Sequence, residues 1–394
     1  MNILFLSRWF PYPPNNGSKI RIYNLLQGLS RQHDVTLISF SDLPLPEGDR
    51  EFSAICSDIQ VVPWKPFNQK SLKSSLGFFS SSPRSLVDTY SLEMDSRIRA
   101  VLKKHKIDLV IASQLTMASY YPSFRGVPAL FEEIELGLLH QQLTNWSGSL
   151  KRLQTRLSWF KLKKYLSNLL DAFGGGTVVS TEEYRVFADN FERQKAKIEI
   201  LPNFINLDDY QNIVSHRRQN HLIFSGSFAY LPNYHAMLWF IRDVFPLVLN
   251  QIPDAQLIIT GDPAGYPLPE SRNVIHAGYV DEVKSLIASC DVSLAPLWYG
   301  GGTRLKIVEA MAIGTPVVAT SKGAEGLQVQ NGEHLLIADK PDEFARHLIN
   351  LLLNNGLRTR LSENAMQLVK DNYDWKVIKP RFLRLVDQVA SGLI

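Results

Sequence analysis

Residues 2–40 read NILFLSRWFPYPPNNGSKIRIYNLLQGLSRQHDVTLISF, and this stretch determines the fold class. The apolar run Asn2–Ser7 is typical of a strand that is buried on both faces. A loop rich in proline, asparagine and glycine follows, and apolar residues after Lys19 recur at helical spacing. A second apolar run, Val35–Phe40, completes a strand–helix–strand unit, which predicts a parallel sheet.

The same alternation of strands and helices continues along the chain in two successive runs. The polar segment His216–Asn220 lies between them and lacks apolar periodicity, which is typical of a linker. Two such runs predict an α/β protein with two Rossmann-like, doubly wound domains facing a central cleft.

Length and composition limit the class of protein. The chain has 394 residues, of which 45% are hydrophobic and 20% charged, so it is globular rather than disordered, collagen-like or coiled-coil. Two cysteines, Cys56 and Cys290, are too few for a disulfide framework or a thiolate zinc site, and we expect both to be buried and reduced. Because neither a bilayer-spanning stretch nor a signal-peptide pattern is visible, we expect a cytoplasmic protein.

The net charge of +4 is unevenly distributed. Residues 1–207 contain 25 basic and 19 acidic residues, whereas residues 208–394 contain 17 and 19. A basic N-terminal half indicates an anionic partner on that side. The excess is too small and too dispersed to predict nucleic-acid binding.

The most informative chemistry lies in residues 292–320, VSLAPLWYGGGTRLKIVEAMAIGTPVVAT. A buried strand, a triple-glycine turn and a helix beginning at Thr303 predict an anion site at the helix N-terminus. Arg304 and Lys306 in the first turn oppose the helix dipole, so a bound phosphate or diphosphate would compensate them. The carboxylate of Glu309, farther along the helix, suits paired hydroxyls such as those of a ribose.

Three motifs carry a family resemblance. The run Glu309–Val318, EAMAIGTPVV, resembles the nucleotide-sugar motif of the family 4 (group 1) glycosyltransferases, which have the GT-B fold. Pro202-Asn203 resembles the family's motif at the domain junction, and Phe224–Ser227 resembles the first strand and turn of its donor domain. The resemblance extends over nearly the whole chain and is strongest from 220 to 340.

The resemblance implies a donor site in the C-terminal half. The residues implied are Gly226, Tyr279, Val280, Gly301, Gly302, Thr303, Arg304, Lys306 and Glu309. Two departures from the family affect it. Gly301 occupies the position of a frequent first acid, eight residues before Glu309, and no cation follows the turn at Gly226, so Arg304 is expected to substitute. An ordinary turn is the alternative for Tyr279 and Val280.

The N-terminal half contains the implied acceptor site. The loop Asn15–Gly17 resembles the family's glycine-rich loop, and we expect Asn16, Gly17 and Arg21 to bind the acceptor, with a plain surface loop as the alternative. Glu133 and Glu135 follow a strand near the position where many relatives have a catalytic histidine, with His140 farther on. These acids either orient the acceptor or the sugar, or form a solvated loop.

The resemblance also implies an organisation and a mechanism. We expect an acceptor-binding domain over 1–207, a nucleotide-sugar-binding domain over 208–372, and a C-terminal helix, 373–394, that crosses back to the first domain. The reaction would retain the anomeric configuration without an essential metal, and no cofactor is needed beyond the donor substrate. The residues implied in catalysis are Arg304, Lys306, Glu309, Glu133 and Glu135. A carbohydrate or lipid-linked acceptor would place the enzyme in polysaccharide or glycolipid biosynthesis.

Three alternatives remain open. A nucleotide-sugar epimerase would share this fold, and a non-catalytic nucleotide-binding relative is suggested by Gly301. A Rossmann oxidoreductase is disfavoured because the first loop lacks G-x-G-x-x-G. The sequence does not distinguish UDP, GDP and ADP as the nucleotide.

Residues 146–170 form a basic segment, and no acidic residue occurs from Gly137 to Leu170. Leucines and aromatic residues alternate with the lysines and arginines, which predicts peripheral contact with the inner face of an anionic membrane. Lys161, Lys163 and Lys164 are the cations that we expect to contribute. The alternative is a helix whose apolar face packs on the sheet while its charges lie in water.

Overall fold

The computed structural model describes residues 1–42, 52, 54–136, 149–301 and 304–393. The chain forms two compact units, Met1–Pro202 together with the residues from Lys379 onward, and Asn203–Ile378. Each unit contains one parallel sheet, which confirms the predicted α/β class. The assignment of acceptor and donor functions to domains 1–207 and 208–372 stays a prediction.

The sheet of the first unit has seven parallel strands in the order β3-β2-β1-β4-β5-β6-β7. They are β1 (Asn2–Ser7), β2 (Asp34–Ser41), β3 (Asp58–Pro63), β4 (Leu109–Ser113), β5 (Ala129–Glu132), β6 (Gly175–Val178) and β7 (Ile198–Ile200). The helices are α1 (Gly17–Ser30), α2 (Leu72–Leu76), α3 (Arg84–Thr89), α4 (Leu92–Lys104), α5 (Gln114–Ala118), α6 (Ser149–Leu170) and α7 (Thr181–Asn190). The strand order reverses between β1 and β4, and ligands in open α/β sheets bind at the carboxyl ends beside such a switch.

The sheet of the second unit has six parallel strands in the order β10-β9-β8-β11-β12-β13. They are β8 (His221–Ser225), β9 (Gln256–Thr260), β10 (Val274–Gly278), β11 (Val292–Ala295), β12 (Val317–Ala319) and β13 (Leu336–Ile337). The helices are α8 (Leu231–Trp239), α9 (Phe245–Leu249), α10 (Val283–Ser289), α11 (Leu305–Ile313), α12 (Pro341–Leu353) and α13 (Asn355–Asn372). Here the switch in strand order lies between β8 and β11.

The first strand–helix–strand unit forms as predicted, since β1 and β2 are fully buried along most of their length. The sequence analysis missed β3, an edge strand whose residues are largely half-buried, and the two-residue β13. A π-helical turn, Phe240–Val244, separates α8 from α9.

The last helix, α14 (Trp375–Ser391), begins in the second unit and ends in the first. Its residues after Lys379 pack on the sheet of the first unit: a Cβ at Gly174 would lie 2.9 Å from a methyl of Val389. The Arg381 guanidinium lies 3.2 Å from Glu199 and donates to the carbonyl oxygen of Ile200 at 2.6 Å. The chain therefore passes between the two units twice.

Two further expectations concern cysteines and membrane spans. Cys56 and Cys290 are both buried and free, as predicted. None of the helices in the described ranges combines the length and the apolar character that a bilayer span requires.

Candidate functional site

The candidate site of the second unit lies at the carboxyl ends of β8 and β11. The first strand runs into Gly226, and the second leads through residues 296–304 to α11. Because parallel strands end at the same edge of a sheet, the Gly226 turn and the N-terminus of α11 are neighbours. The helix begins at Leu305, two residues later than predicted, with Arg304 as its N-cap.

Lys306, in the first turn of α11, contacts the Gly226 turn directly. Its Nζ donates to Asn233 Oδ1 at 2.9 Å and lies 4.1 Å from the ring centroid of Phe224. A Cβ at Gly226 would lie 2.6 Å from Asn233 Nδ2 and 2.9 Å from Lys306 Nζ. Only glycine leaves room for this cation at the end of β8.

The Lys306 ammonium contacts neutral groups, the Asn233 amide and the Phe224 ring. Among the residues that the structure describes, no carboxylate lies within ion-pair distance of its Nζ. Burial, and then the neighbouring charge of Arg304, lower the pKa of Lys306 to about 7 despite the opposing effect of Glu309. An anion at this position would stabilise the charged form and reverse the shift.

Arg304 is buried and bonded to its own loop. Its two terminal nitrogens donate to the carbonyl oxygens of Gly301 and Gly300 at 2.7 and 2.8 Å, while its buried Nε has no hydrogen-bond partner. The guanidinium therefore braces the glycine turn with two of its five N–H donors, and the phosphate contact expected of Arg304 stays a prediction. Gly302 and Thr303 lie outside the described residues.

Glu309 lies one turn after Lys306 on α11, and its orientation is fixed by Tyr210. The Tyr210 hydroxyl donates to Glu309 Oε1 at 2.8 Å. Lys284 Nζ lies 4.1 Å from the Tyr210 ring centroid and donates to the carbonyl oxygen of Asp209 at 3.0 Å. Burial raises the pKa of Glu309, and the Tyr210 hydrogen bond, Lys284 and Lys306 oppose that shift.

Tyr279 and Val280 directly follow β10. Gly278, which ends the strand, accepts a hydrogen bond from the backbone N–H of Gly261 at 2.7 Å, and Gly261 packs against Gly226. The Tyr279 side chain is 67% exposed. The structure thus places this loop beside the Gly226 turn, where its apolar side chains can contact a ligand.

In the first unit, Arg21 is an interior residue. Its side chain is 1% exposed, its Nε lies 2.6 Å from Glu132 Oε1, and its Nη1 donates to the carbonyl oxygens of Leu201 and Pro202 at 3.1 Å each. Ser113 Oγ donates to the second oxygen of Glu132 at 2.8 Å. The guanidinium of Arg21 therefore has partners within the protein, and its predicted acceptor contact stays a prediction.

Glu133 is buried beside this pair, at the end of β5. Its Oε2 accepts a hydrogen bond from Gln114 Nε2 at 2.9 Å, and its backbone N–H donates to Thr177 Oγ1 at 2.9 Å. Burial, and then the charge of Glu132, raise the pKa of Glu133 well above its usual range. Both Gln114 (φ 68°) and Glu133 (φ 57°) have left-handed backbones, a strain that persists only where surrounding structure enforces it.

The other predicted residues of this unit lie at its surface. Glu135 is exposed. Asn16 is the exposed N-cap of α1, where its side chain accepts from the backbone N–H of Lys19 at 3.1 Å, and Gly17 is the first helical residue. Capping accounts for Asn16, and its acceptor role stays a prediction. His140 lies outside the described residues.

Sequence reasoning missed three residues that orient the Lys306 and Glu309 cluster, Asn233, Tyr210 and Lys284. It also missed Arg8, a buried cation at the end of β1. Arg8, directly after β1, lies 3.6 Å from the Trp64 ring centroid and 3.2 Å from Asp42, with a buried Nη1 that lacks a partner. The position of Arg8 directly after β1 could have indicated this residue from the sequence. The Tyr210–Glu309 contact joins residues 99 apart, so no local pattern indicates it.

The sequence predicted that no metal is essential, and this stays a prediction. No group of three histidine, cysteine or carboxylate side chains with metal-binding geometry occurs in the ranges that the structure covers.

Comparisons with known proteins bear on the whole chain. The model of Glycosyltransferase Family 4 matches residues 15–209, and that of Glycosyl transferases group 1 matches residues 219–354. A 44.6 kDa protein of the cps region of Klebsiella pneumoniae is 25% identical over 394 residues, which cover 95% of this chain and 97% of that protein.

Two further relatives differ in what they support. The phosphatidyl-myo-inositol mannosyltransferase of Mycobacterium tuberculosis is 30% identical over 209 residues, 49% of this chain, and the match spans about half (54%) of its length. The crystal structure of Anabaena HepE with UDP and glucose matches with a TM-score of 0.65 at 15% identity, covering 98% of this chain and 100% of HepE. At this identity the structural likeness supports the fold alone.

Proposed function

We propose a specific reaction for this chain, which belongs to the group 1 and family 4 glycosyltransferases. The reaction is transfer of a sugar from a nucleoside-diphosphate sugar to an acceptor hydroxyl, with retention of the anomeric configuration. One observation carries the donor assignment: Lys306 in the first turn of α11 contacts Asn233 and Phe224, and no carboxylate of the described residues forms an ion pair with it.

A diphosphate is the ligand that best fits this arrangement. A partly buried ammonium without an ion-pair partner loses solvation and gains little in return, so its charge is unstable until an anion binds. The first N–H groups of an α-helix lack acceptors within the helix, so the N-terminus of α11 favours the same ligand. When the glycosidic bond breaks, Lys306 would stabilise the charge that develops on the leaving diphosphate.

Glu309 completes the proposed donor site. Its carboxylate accepts from Tyr210 through one oxygen, which leaves lone pairs of both oxygens to accept hydrogen bonds from a ribose. Tyr279, exposed in the loop beside Gly226, would contact the base.

Retention, metal independence and the acceptor class are parts of the proposal that the family resemblance implies. The leaving phosphate would take the acceptor proton, so no separate general base is assigned. A carbohydrate or lipid-linked acceptor is supported by the names of two relatives, a phosphatidyl-myo-inositol mannosyltransferase and a protein of a cps region. We accordingly propose a role in polysaccharide or glycolipid biosynthesis at the cytoplasmic face of a membrane.

A thermal-shift panel with UDP, GDP, ADP and their sugars tests the donor assignment. A ligand that binds only the folded state raises the unfolding temperature by mass action, so one nucleotide should give a clearly larger shift than the others. The matching nucleotide sugar is then incubated with acceptor mixtures, and the anomer of the product is read by NMR. No shift with any nucleotide would contradict the donor site, and acceptor-independent sugar interconversion would indicate an epimerase.

A further inference from the structure

The first unit exposes a group of large apolar side chains on two adjoining segments. Phe79 is 93% exposed, Leu72 78% and Phe160 68%. The whole group comprises Leu72, Leu76, Phe78, Phe79, Leu157 and Phe160. Together with the exposed cations on the same segments, it is called the apolar–basic surface. Contiguous apolar patches of this kind on a protein surface mark an interaction site.

The two segments are joined through Lys161. Residues 157, 160, 161 and 164 of α6 follow the i, i+3, i+4, i+7 spacing, so they share one face of the helix. The Lys161 ammonium donates to the carbonyl oxygens of Gly77 and Phe78 at 2.7 and 3.3 Å. Leu157 and Phe160 therefore lie beside the segment that carries Phe78 and Phe79.

Internal contacts hold the exposed segment in place. The Arg84 guanidinium lies 3.7 Å from the Phe78 ring centroid, and it donates to the carbonyl oxygen of Ser74 at 3.0 Å and to the Ser74 hydroxyl at 2.8 Å. Asp88 accepts hydrogen bonds from Ser71 and, at 2.8 Å, from the backbone N–H of Asn68. The apolar side chains are exposed by a structured loop rather than by a frayed one.

The exposed charge on these two segments is positive. Neither residues 59–87 nor residues 149–170 contain an acidic residue, and the nearby Asp88 is buried and bonded to Ser71 and Asn68. The exposed cations on the same segments are Lys65, Lys70, Lys73, Arg156 and Lys164. Exposed aromatic and aliphatic side chains accompanied by exposed cations are typical of proteins that rest on an anionic bilayer.

We propose that the apolar–basic surface docks on an anionic lipid bilayer, with Leu72, Leu76, Phe79 and Phe160 entering the headgroup–acyl boundary and the cations facing lipid phosphates. A second copy of the chain fits this surface poorly, because pairing the two copies would oppose five cations with five. An anionic bilayer satisfies both the apolar side chains and the charge.

The proposal revises the set of cations expected from sequence. Lys161 is bonded to Gly77 and Phe78, and Lys163 donates to Asn190 Oδ1 at 3.2 Å, so both have partners within the protein. Burial lowers the pKa of Lys161, and the nearby charge of Arg84 adds to the shift. Of the three predicted lysines, Lys164 is the exposed one.

This inference deepens the proposed function and rests on it in one respect. If the acceptor is lipid-linked, docking on the bilayer would bring the enzyme to its acceptor. Its test uses neither nucleotide nor acceptor, so vesicle binding and sugar transfer can fail independently. The whole chain is sedimented with phosphatidylglycerol-containing vesicles and with pure phosphatidylcholine vesicles at low and high salt. We expect binding to the anionic vesicles that weakens as salt rises.

Two variants address the two components of the surface. The double variant Leu76→Ser/Phe79→Ser should reduce partitioning about tenfold or more, because both side chains lose apolar burial. Lys70→Gln/Lys73→Gln should reduce binding to anionic vesicles alone, by about fivefold per charge. Leu353→Ser is the matched control, since Leu353 is 71% exposed in the second unit and should bind like the parent.

Three results would overturn the proposal. The parent would fail to bind anionic vesicles at low salt, or Leu76→Ser/Phe79→Ser would bind as well as the parent. Alternatively, sedimentation without lipid would show a dimer that the double variant loses, which would assign the surface to a second copy. A circular-dichroism spectrum and an unfolding temperature equal to those of the parent establish that each variant is folded.

Discussion

The two units differ in how they hold charge at the carboxyl ends of their strands. In the first unit, Arg21 and Glu132 are almost fully buried and bonded to each other, and backbone carbonyls take further donors of Arg21. In the second, Lys306 and Glu309 are partly buried, and each is oriented by a neutral side chain, Asn233 or Tyr210. A charge paired within the protein stabilises the fold, whereas a charge held by neutral partners is available to a ligand.

This difference separates charges that are paired within the protein from charges that we propose to bind a ligand. Both clusters contain a cation and a carboxylate near a topological switch, so position alone does not distinguish them. The identity of the hydrogen-bond partner does. Substitutions in the first cluster should therefore affect stability, and substitutions in the second should affect binding.

The largest expected effect is on Arg21. Arg21→Met leaves Glu132 buried without its counter-ion, which should destabilise the first unit by about 3–5 kcal/mol. The loss is measured as a shift of the urea midpoint by circular dichroism. Arg97→Met is the matched control, because Arg97 pairs with Glu93 at 2.7 Å on an exposed helix face, where such pairs contribute less than about 1 kcal/mol. Equal destabilisation by the two variants would contradict the structural assignment of Arg21.

Lys306→Met should change ligand binding rather than stability, in contrast to Arg21→Met. Removing the charged hydrogen bond should weaken nucleoside diphosphate binding by about 1.5–3 kcal/mol, while the unfolding midpoint stays the same or rises. Calorimetric titration measures the affinity. Lys370→Met is the control, because Lys370 is an exposed lysine in the last turn of α13 and has no assigned part in the site. Unchanged affinity in Lys306→Met would remove this residue from the site.

The pH dependence of binding follows from the same residue. The pKa of Lys306 is about 7 in the free protein, and a bound diphosphate raises it. The contribution of Lys306 to affinity is therefore complete below about pH 7. It is lost as pH rises from there toward the pKa of Lys306 in the complex, and affinity falls by up to about tenfold per pH unit. Titrations between about pH 7.5 and 9, in buffers of different ionisation enthalpy, should show proton uptake on binding, since a nucleotide phosphate with a pKa near 6 is already ionised there. The dependence of affinity on pH over this range should disappear in Lys306→Met.

The smallest effect is expected for Tyr210→Phe. Loss of its hydrogen bond leaves Glu309 less well oriented and should weaken donor binding by about 0.5–1.5 kcal/mol. Because Glu309 is proposed to bind the ribose, the loss should be greater for ribose than for 2′-deoxyribose nucleotides. An equal loss for both would restrict Tyr210 to a packing role.

The sequence predicted most of this arrangement because its signals are local. The apolar runs predicted β1 and β2, and the motif beginning at Glu309 predicted the family, whereas the donor role of this half stays a prediction. The sequence did not predict which charges are paired, since Arg21 and Glu132 are 111 residues apart and meet only through the order of the strands. The late start of α11 has a local cause, because Arg304 has a non-helical backbone as its N-cap.

The double passage of the chain between the units has a consequence for biosynthesis. Arg381 and Val389 contact strands β7 and β6 of the first unit, yet the ribosome adds them only after the whole of Asn203–Ile378. The second unit can therefore be complete before the first, although the first begins earlier in translation. Until α14 emerges, the surface at Gly174 remains uncovered, and during this interval the nascent chain is most exposed to proteases and to aggregation.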